Sequence, residues 1–407
     1  MSELDIVVLG ASGFVGRLVA DHLATAAPPG LRIGLAGRST ERLAQVRAEL
    51  GEPAAAWPLL RADTDDAASL DRLATAARVV ATTVGPYARH GMPVVAACAR
   101  AGTHYADLSG EVLFIREAIA RHHEDARRSG ARIVTSCGFD SVPSDLAALL
   151  LADRAATDGA GTLGDTTLVV ESIKGGISGG TIDSMRNLTR TLQAEPSLRP
   201  VVADPFALSP DREAEPDPGE QPDWWPVFRD RGTGRWLAPF AMASVNSRIV
   251  RRSNALLGHA YGRSFRYREL ASGGRGLRGQ LTARGISAGT AALAAGMSWP
   301  VSRKVLDAVL PSPGQGPSAE RRAGGHFRMR TRTTTTAGRR YAAIVAAQGD
   351  PGYAATAVML GQAALALARD GARLPERAGV LTPASALGGV LVERLRDQGF
   401  TIGVEPT

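Results

Sequence analysis

Gly10-Ala11-Ser12-Gly13-Phe14-Val15-Gly16 interrupts an apolar run, Ile6 to Leu9, and gives way to an amphipathic stretch carrying Leu18, Val19, His22 and Leu23. A strand that turns through glycines into a helix is a cradle for a dinucleotide pyrophosphate. Gly10 permits the tight turn, Gly13 lets backbone approach the phosphates, and Gly16 lets the helix pack on the strand. The first helical N–H groups and the positive end of the helix dipole then face the phosphates, beside Ser12, Phe14 and Val15. The next apolar run, Leu31 to Ala36, ends in Gly37-Arg38-Ser39. An acidic residue there would take the ribose hydroxyls of NAD. Arg38 instead offers a fork of donors to a 2′-phosphate, so NADP is the expected cofactor. The plainer reading of Arg38 is a solvated arginine at a helix start.

Asp63 follows a third strand, Trp57 to Ala62, where a polar residue commonly meets the adenine. The fourth strand closes in Val84-Gly85-Pro86-Tyr87, beside the expected nicotinamide. Substrate in such a sheet lies outside the carboxyl ends of the strands. Polar clusters fall at three of these ends: Tyr87, then Tyr105 to Glu111, then Cys137 to Asp145. Tyr87 and Tyr105 are candidate proton donors. Asp140 and Glu111 suit the positioning of water or the capping of helices, and Ser141 or Ser144 could cap a helix near Pro143. Cys137 has no histidine neighbour to activate it, so a buried cysteine is the better reading. No tyrosine is followed by lysine four residues later, which excludes the short-chain dehydrogenase mechanism.

These groups need a scaffold of alternating strands and helices, and the pattern supplies one through about Val134, as in a doubly wound parallel sheet. Helices are expected over Thr40 to Leu50, Ala67 to Ala77, Gly91 to Ala101 and Leu113 to Ser129, and a strand over Ala131 to Ser136. Past Leu151 the texture changes. Leu168 to Ile173 and Phe327 to Thr335 read as strands of a second sheet, the threonine run having one wet face. Ser209 to Trp236, rich in Pro, Asp and Glu, reads as a surface loop, though its tryptophans would also suit a lid over an apolar channel. Pro311 to Gly325 reads as another loop. Ala354 to Ala368 is apolar enough to be a buried helix, and Pro383 to Leu395 reads as a closing helix.

A chain of 407 residues exceeds one ordinary domain and suggests two interleaved lobes. Hydrophobic content of 44 % against 21 % charged residues fits a folded globular protein rather than a disordered one. The net charge is +7, and only Lys174 and Lys304 are lysines. The arginine excess follows from a GC-rich coding sequence more simply than from an electrostatic function. A basic surface would still suit an acidic carrier protein or an anionic membrane, with Arg251-Arg252 and Arg275 to Arg284 as candidate patches. No recognition motif accompanies the charge, so nucleic acid is not an expected partner. Two distant cysteines make neither a disulfide framework nor a CxxC site, and the histidines form no HExxH, so no metal is expected. The N-terminus enters a core strand directly, leaving no room for a signal peptide. Gly285 to Ser302 is marginal for a membrane span, and a buried or interfacial segment is the better reading. A cytoplasmic enzyme is expected.

The blocks Gly10 to Gly16, Leu35 to Ser39, Thr82 to Tyr87, Tyr105 to Glu111, Cys137 to Asp145, Lys174 to Thr181, Asp350 to Tyr353 and Gly379 to Pro383 span almost the whole chain. Together they resemble the saccharopine dehydrogenase-like oxidoreductases, and most of all the mycobacterial trans-acting enoyl reductases. The resemblance implies an α/β fold: an NADP-binding Rossmann domain with a doubly wound parallel sheet (1–150) and a mixed α/β substrate domain (151–345). C-terminal helices (346–407) would pack back on the first domain. It also implies reduction, in trans, of an acyl or polyketide intermediate presented by an acyl carrier protein or polyketide synthase. Contact with the inner face of the plasma membrane and self-association stay open. Gly110, Glu111, Cys137, Ser141, Ser178, Gly179 and Thr181 are then the expected substrate contacts. Hydride transfer to an enoyl β-carbon leaves an enolate that needs hydrogen-bond donors and then a proton at the α-carbon. Reduction of a C=N bond on the same fold, or a scaffold that binds NADP without turnover, are the alternatives.

Overall fold

Short apolar runs make the first sheet: β1 (Leu4–Leu9), β2 (Ile33–Gly37), β3 (Leu59–Arg61), β4 (Ala77–Thr82), β5 (His104–Ala106) and β6 (Arg132–Val134). All pair in parallel, in the order β3-β2-β1-β4-β5-β6. Such strands are nearly continuous in apolar residues because helices cover both faces. Those helices are α1 (Phe14–Ala26), α2 (Thr40–Leu50), α3 (Ala67–Ala76), α4 (Tyr87–Ala101), α5 (Val112–Ser129) and α6 (Val142–Thr157). The helix α4 starts four residues before the apolar periodicity shows it, because its first turn is set by Pro86 and capped from elsewhere. The computed structural model describes residues 2–175, 178–217, 219–298 and 316–406. Gly176 and Ile177 of the Lys174 to Thr181 block, residues 299–302 of the apolar segment and 311–315 of the second loop lie outside the described residues.

The second sheet is mixed. It is built on β7 (Leu163–Lys174), β8 (Phe228–Arg229), β9 (Arg235–Pro239), β10 (Arg266–Arg275), β11 (His326–Thr335) and β12 (Arg340–Gln348). Only β7 and β10 run parallel. In β11 Thr331, Thr333 and Thr335 point inward while Thr334 is exposed, which is the one wet face the threonine run implied. The further helices are α7 (Gly179–Ala194), the short α8 (Arg199–Ala203), α9 (Ala243–Leu256) and α10 (Gly276–Ser298), the last packed on β9 and β10.

The stretch 346–407 differs from helices alone. It holds the helices Thr356–Arg369 and Pro383–Asp397, but also two strands. Gly379–Leu381 extends the first sheet beyond β6 in parallel, and Thr401–Pro406 pairs with β12 in the second. Strands this short give no periodicity to read. One core cluster joins Ile6 and Val8, Leu146, Val170, Met329 and Leu365, so both sheets share an interior. The helical stretch Pro351–Arg369 is long and apolar enough to cross a membrane, but 83 % of its apolar window is buried in that interior.

The Arg251-Arg252 pair is not a surface patch. Arg248, Arg251 and Arg252 of α9 are buried and fasten the chain that precedes them. Arg248 pairs with Asp223 at 2.8 Å and donates to the Val202 carbonyl. Arg251 donates to Gln221 and to the Tyr267 carbonyl, and Arg252 to the carbonyls of Leu208 and Val380. Buried guanidiniums are tolerated only when so many acceptors surround them. The segment from 202 to 223 is therefore held down. The tryptophans of Ser209 to Trp236 do not form a lid: Trp224 faces solvent, Trp225 packs under the Arg268 guanidinium, 4.6 Å away, and Trp236 pairs with Gly274 in the second sheet.

Candidate functional site

The turn from β1 into α1 has the geometry the glycines require. Gly10 adopts φ +87°, and its N–H donates to the Ala36 carbonyl of β2. A Cβ on Gly16 would stand 2.1 Å from the Gly10 carbonyl oxygen, so no larger residue fits there. Gly13 caps α1 with no side-chain hydrogen bond, which leaves the first-turn N–H groups open toward a ligand. Ser12 lies over the end of β2, and Ser39 caps α2 by accepting from the Arg42 N–H while donating to Glu41. Arg38 is exposed, with no hydrogen-bond or ion-pair partner among the described residues. Arg61 is paired in register with Gly37 and is equally exposed, a second cation that the sequence reading passed over. The Asp63 carboxylate closes a turn onto the Asp65 N–H.

A cavity of about 1390 Å³ opens beside this turn. Its floor is Gly13, Phe14 and Val15 with Gly85, Pro86 and Tyr87, and its walls come from the loops after β5 and β6, from α5 and α7, and from Pro351 to Thr356. The Phe14 ring meets the Tyr353 ring edge-on at 5.2 Å, and the Tyr353 hydroxyl accepts from the Gly179 N–H. Tyr353 thereby ties the dinucleotide turn to the start of α7. Val84 is part-buried behind the cavity, its N–H held by the Thr82 hydroxyl.

Of Tyr87, Tyr105 and Asp140, the candidates for chemistry at the strand ends, only Asp140 makes no hydrogen bond among the described residues. Tyr105 is wholly buried, donates to Asp107 at 2.8 Å, and does not reach the cavity. Tyr87 borders the cavity, but its hydroxyl donates to the Thr82 carbonyl and accepts from the Leu108 N–H. Burial also pushes both phenols well above their ordinary range. The two tyrosines are thus structural, correcting the donor role expected of them. Asp140 lines the cavity with no hydrogen-bond partner among the described residues, and desolvation raises its carboxyl to about 6.

Glu111 does the capping. Its carboxylate accepts from the Tyr87 and Ala88 N–H groups at 2.9 and 3.0 Å and from the Ser184 hydroxyl at 2.8 Å. One side chain thus closes the N-terminus of α4 and fastens α7 beside it. Of the expected substrate contacts, Gly110, Ser178, Gly179 and Thr181 line the cavity. Cys137 and Ser141 do not. The Cys137 thiol is buried against the Val134 carbonyl, its pKa pushed well up by desolvation, and Ser141 donates to Asn246 in the interior. A residue one step along an irregular loop can face either way, and polarity alone does not decide which.

Asp107 organises the loops and carried no assigned role in the sequence. It accepts from the N–H groups of Ser109 and Ser136 and from the hydroxyls of Ser109 and Tyr105. Ser136, on the cavity wall, is thereby held at φ +63°, a strained conformation for a non-glycine residue.

Residues 6–134 match the saccharopine dehydrogenase NADP-binding domain. The sequence is 50 % identical over 408 residues, 98 % of this chain and 97 % of the relative, to a Mycobacterium tuberculosis protein provisionally named a trans-acting enoyl reductase. The trans-acting enoyl reductase of Mycobacterium bovis is 47 % identical over 412 residues with the same coverage. The chain belongs to the trans-acting enoyl reductase family. Saccharopine dehydrogenase from Saccharomyces cerevisiae shares the fold, with a TM-score of 0.56 at 12 % identity over 98 % of this chain and 99 % of that one. This family member is an NADP-dependent oxidoreductase. The open first turn of α1, the close approach at Gly16 and the free Arg38 all fit that cofactor.

Proposed function

We propose that this oxidoreductase reduces the C=C bond of an α,β-unsaturated acyl thioester delivered by a separate carrier protein or synthase. The observation that carries the reading is the cavity itself. It runs from the Gly85 to Tyr87 edge between α5 and α7, and its arginines, Arg89, Arg116 and Arg121, are all exposed at the rim. An amino-acid imine would need its carboxylates clamped by cations inside the site. A neutral chain needs none.

NADPH held by the Gly10 to Gly16 turn and Arg38 would supply a hydride for the β-carbon. The chain's own groups then act on the charge that appears at the thioester oxygen and on the α-carbon. The Ser178 and Thr181 hydroxyls share one hydrogen bond of 2.9 Å, and the Ser178 oxygen also accepts from the Thr181 N–H. One hydroxyl proton of the pair is left to donate to the enolate oxygen. Asp140, uncharged below about pH 6, gives the α-carbon its proton and regains it through solvent.

Arg38 sets the cofactor preference in this reading. Arg38→Ala is expected to weaken NADPH about tenfold to a hundredfold and to leave NADH unchanged, since hydrogen bonds to charged groups contribute roughly 1.5–3 kcal/mol. Titration of both cofactors into both proteins checks this, and an unchanged NADPH to NADH ratio removes Arg38 from the site. The reaction class is tested by NADPH absorbance loss with enoyl thioesters and with lysine- or glutamate-derived imines. Turnover is expected with the thioesters. Turnover confined to the imines would overturn the proposal.

A further inference from the structure

The cavity does not stop at the reacting edge. Along α7 its lining runs from Ser178 through Thr181, Ser184, Met185, Leu188 and Thr191 to Glu195. Apart from the adjacent pair Ser184 and Met185 these residues recur at three- and four-residue spacing, so one face of α7 forms a continuous wall. At 1.5 Å per residue that wall is about 26 Å long. Ser184 divides it about 9 Å from the Ser178 end, because its hydroxyl bond to Glu111 fixes it beside the start of α4 and Tyr87.

The two parts differ in chemistry. From Ser178 to Ser184 the wall carries three hydroxyls and the Asp183 carboxylate, in the same cavity as Asp140 and Gly110. Beyond Ser184 the polar Asn187, Thr191 and Glu195 sit among six apolar side chains: Met185 and Leu188, with Leu113 and Ile119 from α5 and Leu198 and Ala207 from the chain that follows α7. These six side chains are all part-buried, so they border a groove rather than fill a core. The roof is the segment that the buried arginines of α9 hold in place: Leu208, next to Ala207, gives its carbonyl to Arg252. The groove is therefore built into the fold and needs no rearrangement to exist.

We infer that this outer part is an acyl-tail subsite, and that the enzyme takes long-chain thioesters in preference to short ones. The inference rests on the proposed thioester reduction and adds the length of the chain. With the unsaturated carbons beside Gly85 and Asp140, the tail follows α7 past Ser184 and lies between Leu188 and Ile119. Each methylene that enters leaves water for an apolar wall. That contributes roughly fourfold in affinity per methylene, until the groove is filled.

The test uses saturated acyl pantetheine thioesters of four to sixteen carbons, titrated into the NADP-bound protein by calorimetry. Because these are products, binding is read whether or not turnover occurs. Affinity is expected to climb with chain length and then level off. Leu188→Asp is expected to flatten the slope while NADPH affinity keeps its wild-type value, which shows the fold intact. Leu188→Trp, which shortens the groove and adds no charge, is expected to move the plateau to shorter chains. An affinity independent of chain length in the wild type, or a slope unchanged in both variants, overturns the subsite. Chain-length-dependent binding without reduction of any enoyl thioester would leave the subsite standing and refute the proposed reaction.

Discussion

Gly13→Val is expected to abolish NADPH binding while leaving the protein folded. The Gly13 backbone, at φ −77° and ψ 164°, is in the extended region that valine prefers. Its Cβ would stand 3.2 Å from the Gly10 carbonyl, a tight contact that a small shift relieves. The methyl groups, however, would project from a residue that lines the cavity at the mouth of α1, into the space the pyrophosphate needs. Gly16 would be the wrong position for this test, because its Cβ at 2.1 Å from backbone would disrupt the turn itself. Fluorescence titration with NADPH, beside a thermal melt, separates the two effects. Wild-type affinity in a well-folded Gly13→Val protein would place the dinucleotide elsewhere.

Asp140→Asn is expected to lower kcat by about 10²- to 10⁴-fold, the usual contribution of a positioned acid. The sign of the pH dependence follows from burial. Desolvation raises the Asp140 carboxyl to about 6, so the proton-bearing form dominates below that pH and is lost as pH rises through it. The wild-type kcat should therefore fall above about pH 6 when protonation limits the rate, and the asparagine variant should lose that limb. NADPH affinity should not change. A full kcat with an unaltered pH profile in Asp140→Asn would assign the proton to water.

Much of the first sheet was legible because its signals are local. Gly10, Gly13 and Gly16 answer to sterics within one turn, and the strand-to-helix alternation repeats through β6. Asp140 was legible as a polar residue at a strand end, and Glu111 as a capping carboxylate. The failures have a common cause. Tyr87, Tyr105, Cys137 and Ser141 lie at or near the carboxyl ends of the strands as Asp140 does, but their side chains bond inward to Thr82, Asp107, Val134 and Asn246. Which way such a residue points depends on partners distant in sequence.

The buried arginines of α9 misled for a related reason. Arg251 and Arg252 read as surface charge, because arginine seldom goes inside without acceptors. Their acceptors are backbone carbonyls and a glutamine that composition cannot show. The strand Gly379–Leu381 was hidden by its three-residue length, and its partner β6 lies more than two hundred residues away. Ser184 and Tyr353 join the two halves of the site through single hydrogen bonds that leave no pattern in the chain.

The most direct measurement follows one deuterium. Wild-type protein is given NADPH deuterated at the transferring position of the nicotinamide, together with a long-chain 2-enoyl pantetheine thioester, and the product is analysed by mass spectrometry and NMR. One deuterium at C3 of a saturated thioester is the expected result, with the C2 proton drawn from solvent. Deuterium absent from the acyl chain, or appearing only when an imine is supplied in its place, would contradict enoyl reduction by this protein.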